Sequence, residues 1–303
     1  MGMIEYERDK YPECRDALAR MVALDASAAP GWALLGLCEF HTGQYDSALS
    51  HLKKAHMLVP VQSPGGELLD VANYHLALLL IRQGAFEVAQ EILVRVALRV
   101  RNNPDMMFAT GLASLRMPML PAEVPAGQRD VVALAGRTFW DLSIETPEKA
   151  EADFKALLSA YPSFPNVHYF YATFLGARHP EQSAAEFLSE LRVDPGSVPA
   201  RVQLVLRYII ENKPEEALRY AREAVKLSSD SVGAQLALGE ALRANGDDRQ
   251  ALDAYLAASK LDSESPKIHL YLANTYRSLK LTDPMRREQA EYQRLKAEQQ
   301  NWP

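Results

Sequence analysis

Cysteine is scarce in this sequence, with only Cys14 and Cys38 among 303 residues. Two cysteines are too few for a disulfide framework, and their spacing is not that of a metal-binding pair. Both lie among apolar residues at helical spacing, so we predict that they are buried free thiols.

Long apolar runs are absent as well. The longest candidate, YHLALLLI at residues 74–81, is far too short to cross a bilayer. The opening residues, MGMIEYERDK, lack the apolar stretch of a signal peptide. We therefore predict no membrane insertion and favour a cytoplasmic location. A periplasmic or secreted location stays open if a signal peptide has been removed.

A basic surface is also missing, because the formal net charge is −6. Binding to nucleic acid generally requires a basic face that neutralises phosphates, so the composition argues against a nucleic-acid partner. With 48% hydrophobic and 24% charged residues, the chain has instead the composition of a folded protein with a core.

A set of residues recurs with a period of about 34. In a unit that begins at Ala29, the key positions are 4, 7, 8, 20, 24, 27 and 32. They are occupied by Trp32, Leu35, Gly36, Ala48, Leu52, Ala55 and Pro60. The same frame returns in units that begin at Asp70, Pro165, Val198, Val232 and Pro266. This pattern resembles the tetratricopeptide repeat.

The resemblance implies an all-α fold, a right-handed α-solenoid superhelix of helix-turn-helix repeats with about 16 helices. One such solenoid would span residues 1–303. Its parts are an N-terminal half repeat at 4–26, repeats at 29–60 and 70–104, a divergent region at 104–162, repeats at 165–195, 198–229 and 232–263, and a last repeat with a capping helix at 266–299.

The divergent region contains a proline-rich insertion at 117–128. Its prolines prevent a continuous helix there. We predict that the next helix, at about 129–143, starts a new pair with the helix that follows it. The insertion has two interpretations: an irregular connection that redirects the stack, or a polyproline-like segment that folds into the groove or docks a partner.

Glu190 departs from the repeat pattern, because it occupies position 27, where the repeat has Ala. One interpretation is a local rotation of the helix that follows a one-residue deletion near GARHPEQ. The other is a buried carboxylate that pairs with Arg201 or Arg207.

Motifs of catalytic and cofactor sites do not occur in the sequence. It contains no Gly-rich phosphate loop, His-Glu-x-x-His helix, nucleophile elbow or paired-cysteine zinc spacing. The seven histidines are scattered, and His168 and His269 fall at position 4, where packing explains them better than metal ligation. We therefore predict that the protein is not an enzyme and has no catalytic residues, cofactor or metal.

The resemblance also implies where a partner would bind. In similar arrays, residues at positions 2, 5, 6, 9, 12 and 13 of each first helix line a concave groove for a peptide or a partner's helix. The predicted partner-binding residues are Leu37, Phe40, Tyr74, Leu78, Arg82, Tyr169, Thr173, Gln203, Leu206, Arg207, Arg243, Tyr271, Asn274 and Arg277. They combine apolar and aromatic anchors with arginines, which suits a peptide that carries apolar side chains and a carboxylate.

One subclass of these repeats captures the C-terminal carboxylate of heat-shock chaperones with Lys at position 5 and Asn at position 9 of one first helix. The corresponding pairs in this chain are Ala33 with Leu37, Tyr74 with Leu78, Val202 with Leu206, and Leu270 with Asn274. That carboxylate clamp is therefore absent.

The sequence thus predicts a non-catalytic adaptor or scaffold that binds a protein or peptide partner in a concave groove. One alternative, motivated by the incomplete first repeat, is the regulatory or substrate-recruiting region of a larger enzyme or transcriptional regulator. Another is a structural protein that self-assembles end to end. The oligomeric state is accordingly left open between a monomer and a weak end-to-end dimer.

Overall fold

The computed structural model describes Tyr6, Arg8 and residues 10–59, 66–97, 103–144, 147–176 and 178–299. These residues form sixteen α-helices and two short 3-10 turns, with no strand among them, so the predicted all-α fold is confirmed. The helices are α1 (Tyr11–Leu24), α2 (Ala29–His41), α3 (Tyr45–Met57), α4 (Glu67–Arg82), α5 (Phe86–Ala97), α6 (Pro104–Ser114), α7 (Arg129–Ile144), α8 (Pro147–Ala160), α9 (Val167–Leu175), α10 (Pro180–Val193), α11 (Val198–Ile210), α12 (Pro214–Leu227), α13 (Val232–Ala244), α14 (Asp248–Leu261), α15 (Pro266–Ser278) and α16 (Thr282–Glu298).

The helices belong to two compact units that divide between Pro162 and Ser163. Unit 1 contains α1–α8, with hairpins α2–α3, α4–α5 and α6–α7. Unit 2 contains α9–α16, with hairpins α9–α10, α11–α12, α13–α14 and α15–α16. Each unit is an α-solenoid, because a hairpin buries its apolar face only by stacking on a neighbour. That both units belong to one superhelix remains a prediction.

Small residues at position 8 allow the two helices of a hairpin to approach closely. A Cβ atom on Gly239 would lie 2.3 Å from Cε1 of Tyr255, and one on Gly36 would lie 2.6 Å from Cγ of Leu52. Tyr255 and Leu52 both occupy position 24 and are buried. The small residue therefore makes room for the large one, which explains why the two recur together.

A residue with a left-handed backbone follows the end of the first helix in six hairpins. The residues and their φ angles are Gly43 (75°), Gly84 (81°), Arg116 (52°), Asn212 (57°), Gly246 (82°) and Lys280 (60°). All but Arg116 lie in a short turn between the two helices. Glycine adopts this conformation without steric cost, and asparagine tolerates it better than most residues. The turn lets the second helix fold back on the first within a few residues.

Position 4 makes the same hydrogen bond in three repeats, although the residue type differs. Its side-chain nitrogen donates to the backbone carbonyl six residues earlier. The pairs are Trp32 Nε1 with Ala26 at 2.9 Å, Gln235 Nε2 with Ser229 at 2.9 Å, and His269 Nε2 with Ser263 at 3.0 Å. An indole, an amide and an imidazole thus each tie a first helix to the turn that precedes it.

The histidines at position 4 also bond a glutamate on the second helix of their hairpin. Nδ1 of His168 lies 2.6 Å from Oε2 of Glu186, and Nδ1 of His269 lies 2.7 Å from Oε2 of Glu288. These contacts fit the packing role that the sequence predicts for both histidines.

Both ring nitrogens of His269 face acceptors, the Ser263 carbonyl and the Glu288 carboxylate. Neither acceptor has a hydrogen to donate, so both nitrogens donate and the ring is held in its protonated form. Burial alone would lower the pKa of His269, but these bonds and the charges of Glu288 and Glu291 raise it.

Helix α7 packs most closely on α6, across a backbone contact between two glycines. A Cβ atom on Gly111 would lie 2.0 Å from the Val132 carbonyl oxygen, and one on Gly136 would lie 1.9 Å from the Met107 carbonyl oxygen. The expectation that 129–143 starts a new pair therefore needs correction. Helix α7 packs more extensively on α6, with which it forms a hairpin, than on α8, which follows it in the sequence.

The proline-rich connection between α6 and α7 is packed rather than extended. Four apolar side chains in and beside it are buried, namely Leu115, Met117, Leu120 and Val124. Glu123 accepts a hydrogen bond from the Leu120 N–H at 2.7 Å and pairs with Arg82 at 2.7 Å. The connection is thereby attached to α4, whose last residue is Arg82.

Glu190 is completely buried, and its carboxylate caps the start of α9. It accepts hydrogen bonds from the N–H groups of Asn166 at 2.8 Å and Tyr169 at 3.2 Å. Burial raises the pKa of the Glu190 carboxyl, although these two bonds oppose the shift. The predicted pairing with an arginine is wrong, because Arg201 and Arg207 each pair with a different glutamate.

Cys14 and Cys38 form a disulfide, so the prediction of free thiols is wrong. Both residues are fully buried, and their Cα atoms lie 6.4 Å apart where α1 packs on α2. Disulfides persist mainly in oxidising compartments, so this bond and the favoured cytoplasmic location point in different directions. None of the described helices has the length and hydropathy of a membrane span.

We expect Gly239→Ala to destabilise unit 2 by about 1–3 kcal/mol, because the added methyl group overlaps the buried Tyr255 ring. Gly233, in the same helix, is a matched control, since its Cβ would meet only Ser231 Oγ, at 3.8 Å. Gly233→Ala should leave the free energy of unfolding unchanged or raise it by up to about 1 kcal/mol. Urea denaturation measures both, and equal effects would contradict the steric role of position 8.

We expect the disulfide to contribute about 2–4 kcal/mol to the stability of the first two helices. Without reductant, the protein should unfold at a higher temperature than a Cys14→Ala, Cys38→Ala variant, and in dithiothreitol the two should converge. Peptide mapping under non-reducing conditions should recover the two cysteines in one linked species. Two separate thiol peptides would contradict the bond.

We expect His269 to make stability depend on pH. Because its folded-state pKa is raised, its contribution is complete below the ordinary value of about 6.5 and is lost as pH rises through the raised value. His269→Gln keeps the bond to Ser263, by analogy with Gln235, and removes the charge. Urea denaturation at about pH 6 and about pH 9 should show a smaller change for the variant than for the parent. Equal changes would show that another group carries the dependence.

Candidate partner-binding groove

Unit 2 carries two adjoining hollows on the side of its first helices. Hollow 1 has a volume of about 610 Å³ and lies between α9, α10 and α11. Hollow 2 has a volume of about 540 Å³ and is lined by α11, α13, α14 and α15. Leu206 and Ile210 line both hollows, so the two form one continuous surface, which we call the unit-2 groove.

Ile210 is the most exposed apolar side chain of the groove, with 77% of its surface accessible. A large aliphatic side chain in such a position loses contact with water only when a partner covers it. Ile210 is not among the predicted partner-binding residues, although it occupies position 13 of its repeat, one of the positions that the resemblance assigns to the groove.

Six of the predicted partner-binding residues line the hollows. They are Thr173, Gln203, Leu206, Arg207, Arg243 and Tyr271. Tyr169 is instead buried and packs on Phe187, with 5.6 Å between ring centroids, so it belongs to the core. Arg277 donates to Asn274 at 2.9 Å, and neither residue lines either hollow.

Two arginines line the groove, together with one glutamate. Arg207 Nε donates to Glu211 at 2.6 Å, and Lys213 donates to the same carboxylate at 2.7 Å. These bonds from Lys213 and Arg207 hold the pKa of Glu211 below its usual value. Arg243 is held less tightly, because its Nε lies 3.4 Å from Asp248 without a hydrogen bond between them.

Two stacked tyrosines line hollow 2. The Tyr255 and Tyr271 rings are nearly parallel, with centroids 5.2 Å apart, and the Tyr271 hydroxyl donates to Glu240. Burial raises the pKa of both hydroxyls, and the nearby Glu240 raises them further. Both hydroxyls therefore stay protonated and act as hydrogen-bond donors.

The predicted residues of unit 1 are less accessible. Leu37 and Leu78 are buried in the core and line no groove, which corrects their assignment. Phe40 is half-buried in an aromatic cluster and lies 4.7 Å, centroid to centroid, from the His75 ring. Tyr74 is also half-buried, and burial raises its pKa to about 12.

Arg82, the fifth predicted residue of unit 1, already has intramolecular partners. It pairs with Glu123 of the proline-rich connection and lies 4.8 Å above the centre of the Tyr45 ring. Within the part of the chain that the structure describes, no three metal-ligating side chains come together. The groove of unit 2 is thus the site with the most open predicted residues.

The stacked hairpins define the class of the protein, a helical-repeat protein with α-solenoid units. A family model described as "Tetratricopeptide repeat" matches residues 1–62 and 202–266. The match covers less than half of the chain, so these two segments are tetratricopeptide repeats, and each contains a hairpin with the close contact between positions 8 and 24. No curated protein sequence matches the chain.

Several solved structures have similar folds. The "Cut9-Hcn1" APC/C hetero-tetramer is 13% identical over 89% of this chain and 67% of that chain, with a TM-score of 0.51. A MamA double mutant is 17% identical over 56% of this chain and 96% of that chain, with a TM-score of 0.49. YrrB, described as a TPR protein with an unusual peptide-binding site, is 17% identical over 57% and 89%, with a TM-score of 0.44.

Proposed function

We propose that the chain is a non-catalytic protein-interaction scaffold, and that its unit-2 groove binds a segment of a partner protein. The exposed Ile210 side chain, which lies where the two hollows meet, carries this proposal. An extended or helical segment could place one side chain in each hollow and cover Ile210 between them.

The composition of the groove supports a protein partner. Leu206, Ile209 and Ile210 supply apolar contact area, and Tyr271, Arg207 and Arg243 supply the aromatic and cationic groups that dominate binding at protein interfaces. Hollows of this size hold single side chains rather than a folded domain. The repeat family that part of the chain matches fits this role, because stacked hairpins offer a long surface instead of a closed active site.

The test uses random twelve-residue peptides displayed on phage and selected on the immobilised protein. We expect Ile210→Asp to weaken the binding of the selected peptides by about tenfold or more, because the substitution places a charge at the centre of the apolar contact. Its stability should change by less than about 0.5 kcal/mol, since Ile210 is exposed. Fluorescence anisotropy measures the affinities.

Leu261→Asp is the matched control for that substitution. Leu261 is also an exposed apolar residue, 44% accessible, and it ends α14 away from both hollows. It should bind the selected peptides as the parent does. Peptides that bind the parent and both variants equally would show that this groove is not the binding surface.

A further inference from the structure

Hollow 2 contains two polar groups whose hydrogen bonding is incomplete. The Tyr255 hydroxyl and Arg243 Nε are both buried, and neither makes a hydrogen bond of good geometry among the residues that the structure describes. The Arg243 side chain lies close enough to bond the Tyr255 oxygen weakly, and this contact leaves the hydroxyl proton without an acceptor. Buried polar groups are nearly always bonded, because leaving one unpaired costs the free energy of its desolvation. The Tyr255 side chain is fully buried although it forms part of the wall of hollow 2, so contact with water does not satisfy its hydroxyl.

The missing group is an acceptor. Arg243 carries only donors, and the raised pKa of Tyr255 keeps its hydroxyl protonated. The Glu240 carboxylate, which lies beside the tyrosines, already accepts a hydrogen bond from the Tyr271 hydroxyl. Asp248 lies 3.4 Å from Arg243 Nε but forms no hydrogen bond with it. A cationic guest would leave both donors unpaired, whereas a carboxylate would satisfy both.

The two groups lie next to each other at the border of the hollow. Arg243 is close enough to Tyr255 to lower its pKa against the effect of burial, and one-third of the Arg243 side chain is exposed, 34%. An acid that enters the hollow therefore meets the guanidinium first. For the acid to accept a hydrogen bond from the buried Tyr255 hydroxyl as well, Arg243 has to rotate toward it.

We propose that hollow 2 receives an Asp or Glu side chain of the partner segment, which accepts hydrogen bonds from Arg243 and the Tyr255 hydroxyl. This inference rests on the proposed function, because it assigns the guest of one part of the unit-2 groove. The residue next to the acid in the partner is apolar, since Leu206, Ile209 and Ile210 form the wall beside Arg243. Asp248 competes with the guest for the guanidinium.

The test uses peptides selected on the parent protein, synthesised with the native acid, with Asp→Asn or Glu→Gln, and with a C-terminal acid or amide. We expect an excess of Asp or Glu beside an apolar residue in the selected set. Neutralising that acid should weaken binding by about tenfold to a hundredfold. Amidation of the C-terminus should have no effect.

Three substitutions test the residues involved. Arg243→Met and Tyr255→Phe should each weaken the binding of the acidic peptide and leave the binding of its Asn or Gln form nearly unchanged. Asp248→Asn should strengthen the acidic peptide, because it removes the competitor. Tyr255→Phe should change the melting temperature little, since its hydroxyl makes no hydrogen bond of good geometry in the free protein.

The outcomes separate this inference from the proposed function. The inference would be wrong if Ile210→Asp weakened the binding of the selected peptides but these peptides showed no excess of Asp or Glu, or if that acidic preference persisted in Arg243→Met. The proposed binding of a partner segment in the groove would remain supported in either case. An effect of C-terminal amidation in place of side-chain neutralisation would also overturn the inference. If no selected peptide depended on Ile210, the proposed function itself would fail.

Discussion

The contact between a small residue at position 8 and a large one at position 24 sets how closely the two helices approach in the α2–α3 and α13–α14 hairpins. Gly239 and Tyr255 make this contact in the α13–α14 hairpin, where the glycine has no Cβ because the tyrosine ring occupies that space. The same ring lines hollow 2 and stacks on Tyr271. Core packing and the candidate site therefore share one residue, and the position of the site follows from the packing.

The repeat frame was predictable because steric requirements at fixed positions appear directly as residue types. The residues that line a surface are less constrained: six of the predicted residues line the hollows of unit 2, whereas Leu37, Leu78 and Tyr169 are buried in the core. Helix α2, which contains Leu37, is apolar on nearly every face, and such a helix is buried all round. The sequence contained this signal, but the position rule overrode it.

The repeat pattern does not predict contacts between side chains that are distant in the sequence. Cys14 and Cys38 lie on different helices, and only the packing of α1 on α2 brings them to bonding distance. Glu190 stands where the repeat has alanine, and its carboxylate replaces a helix cap rather than pairing with a nearby arginine. In both cases the sequence showed an unusual residue and the three-dimensional neighbours decided its role.

The pair between Glu123 and Arg82 gives unit 1 a different character from unit 2. Because the Glu123 carboxylate is on the same chain as Arg82, its effective concentration at the arginine is high, and a free ligand would need a high concentration in solution to compete with it. An external acid that sought Arg82 would first have to displace this internal one. The proline-rich connection thus raises the affinity that an acidic ligand would need in order to bind at Arg82, whereas Arg243 Nε makes no hydrogen bond to its carboxylate neighbour, Asp248.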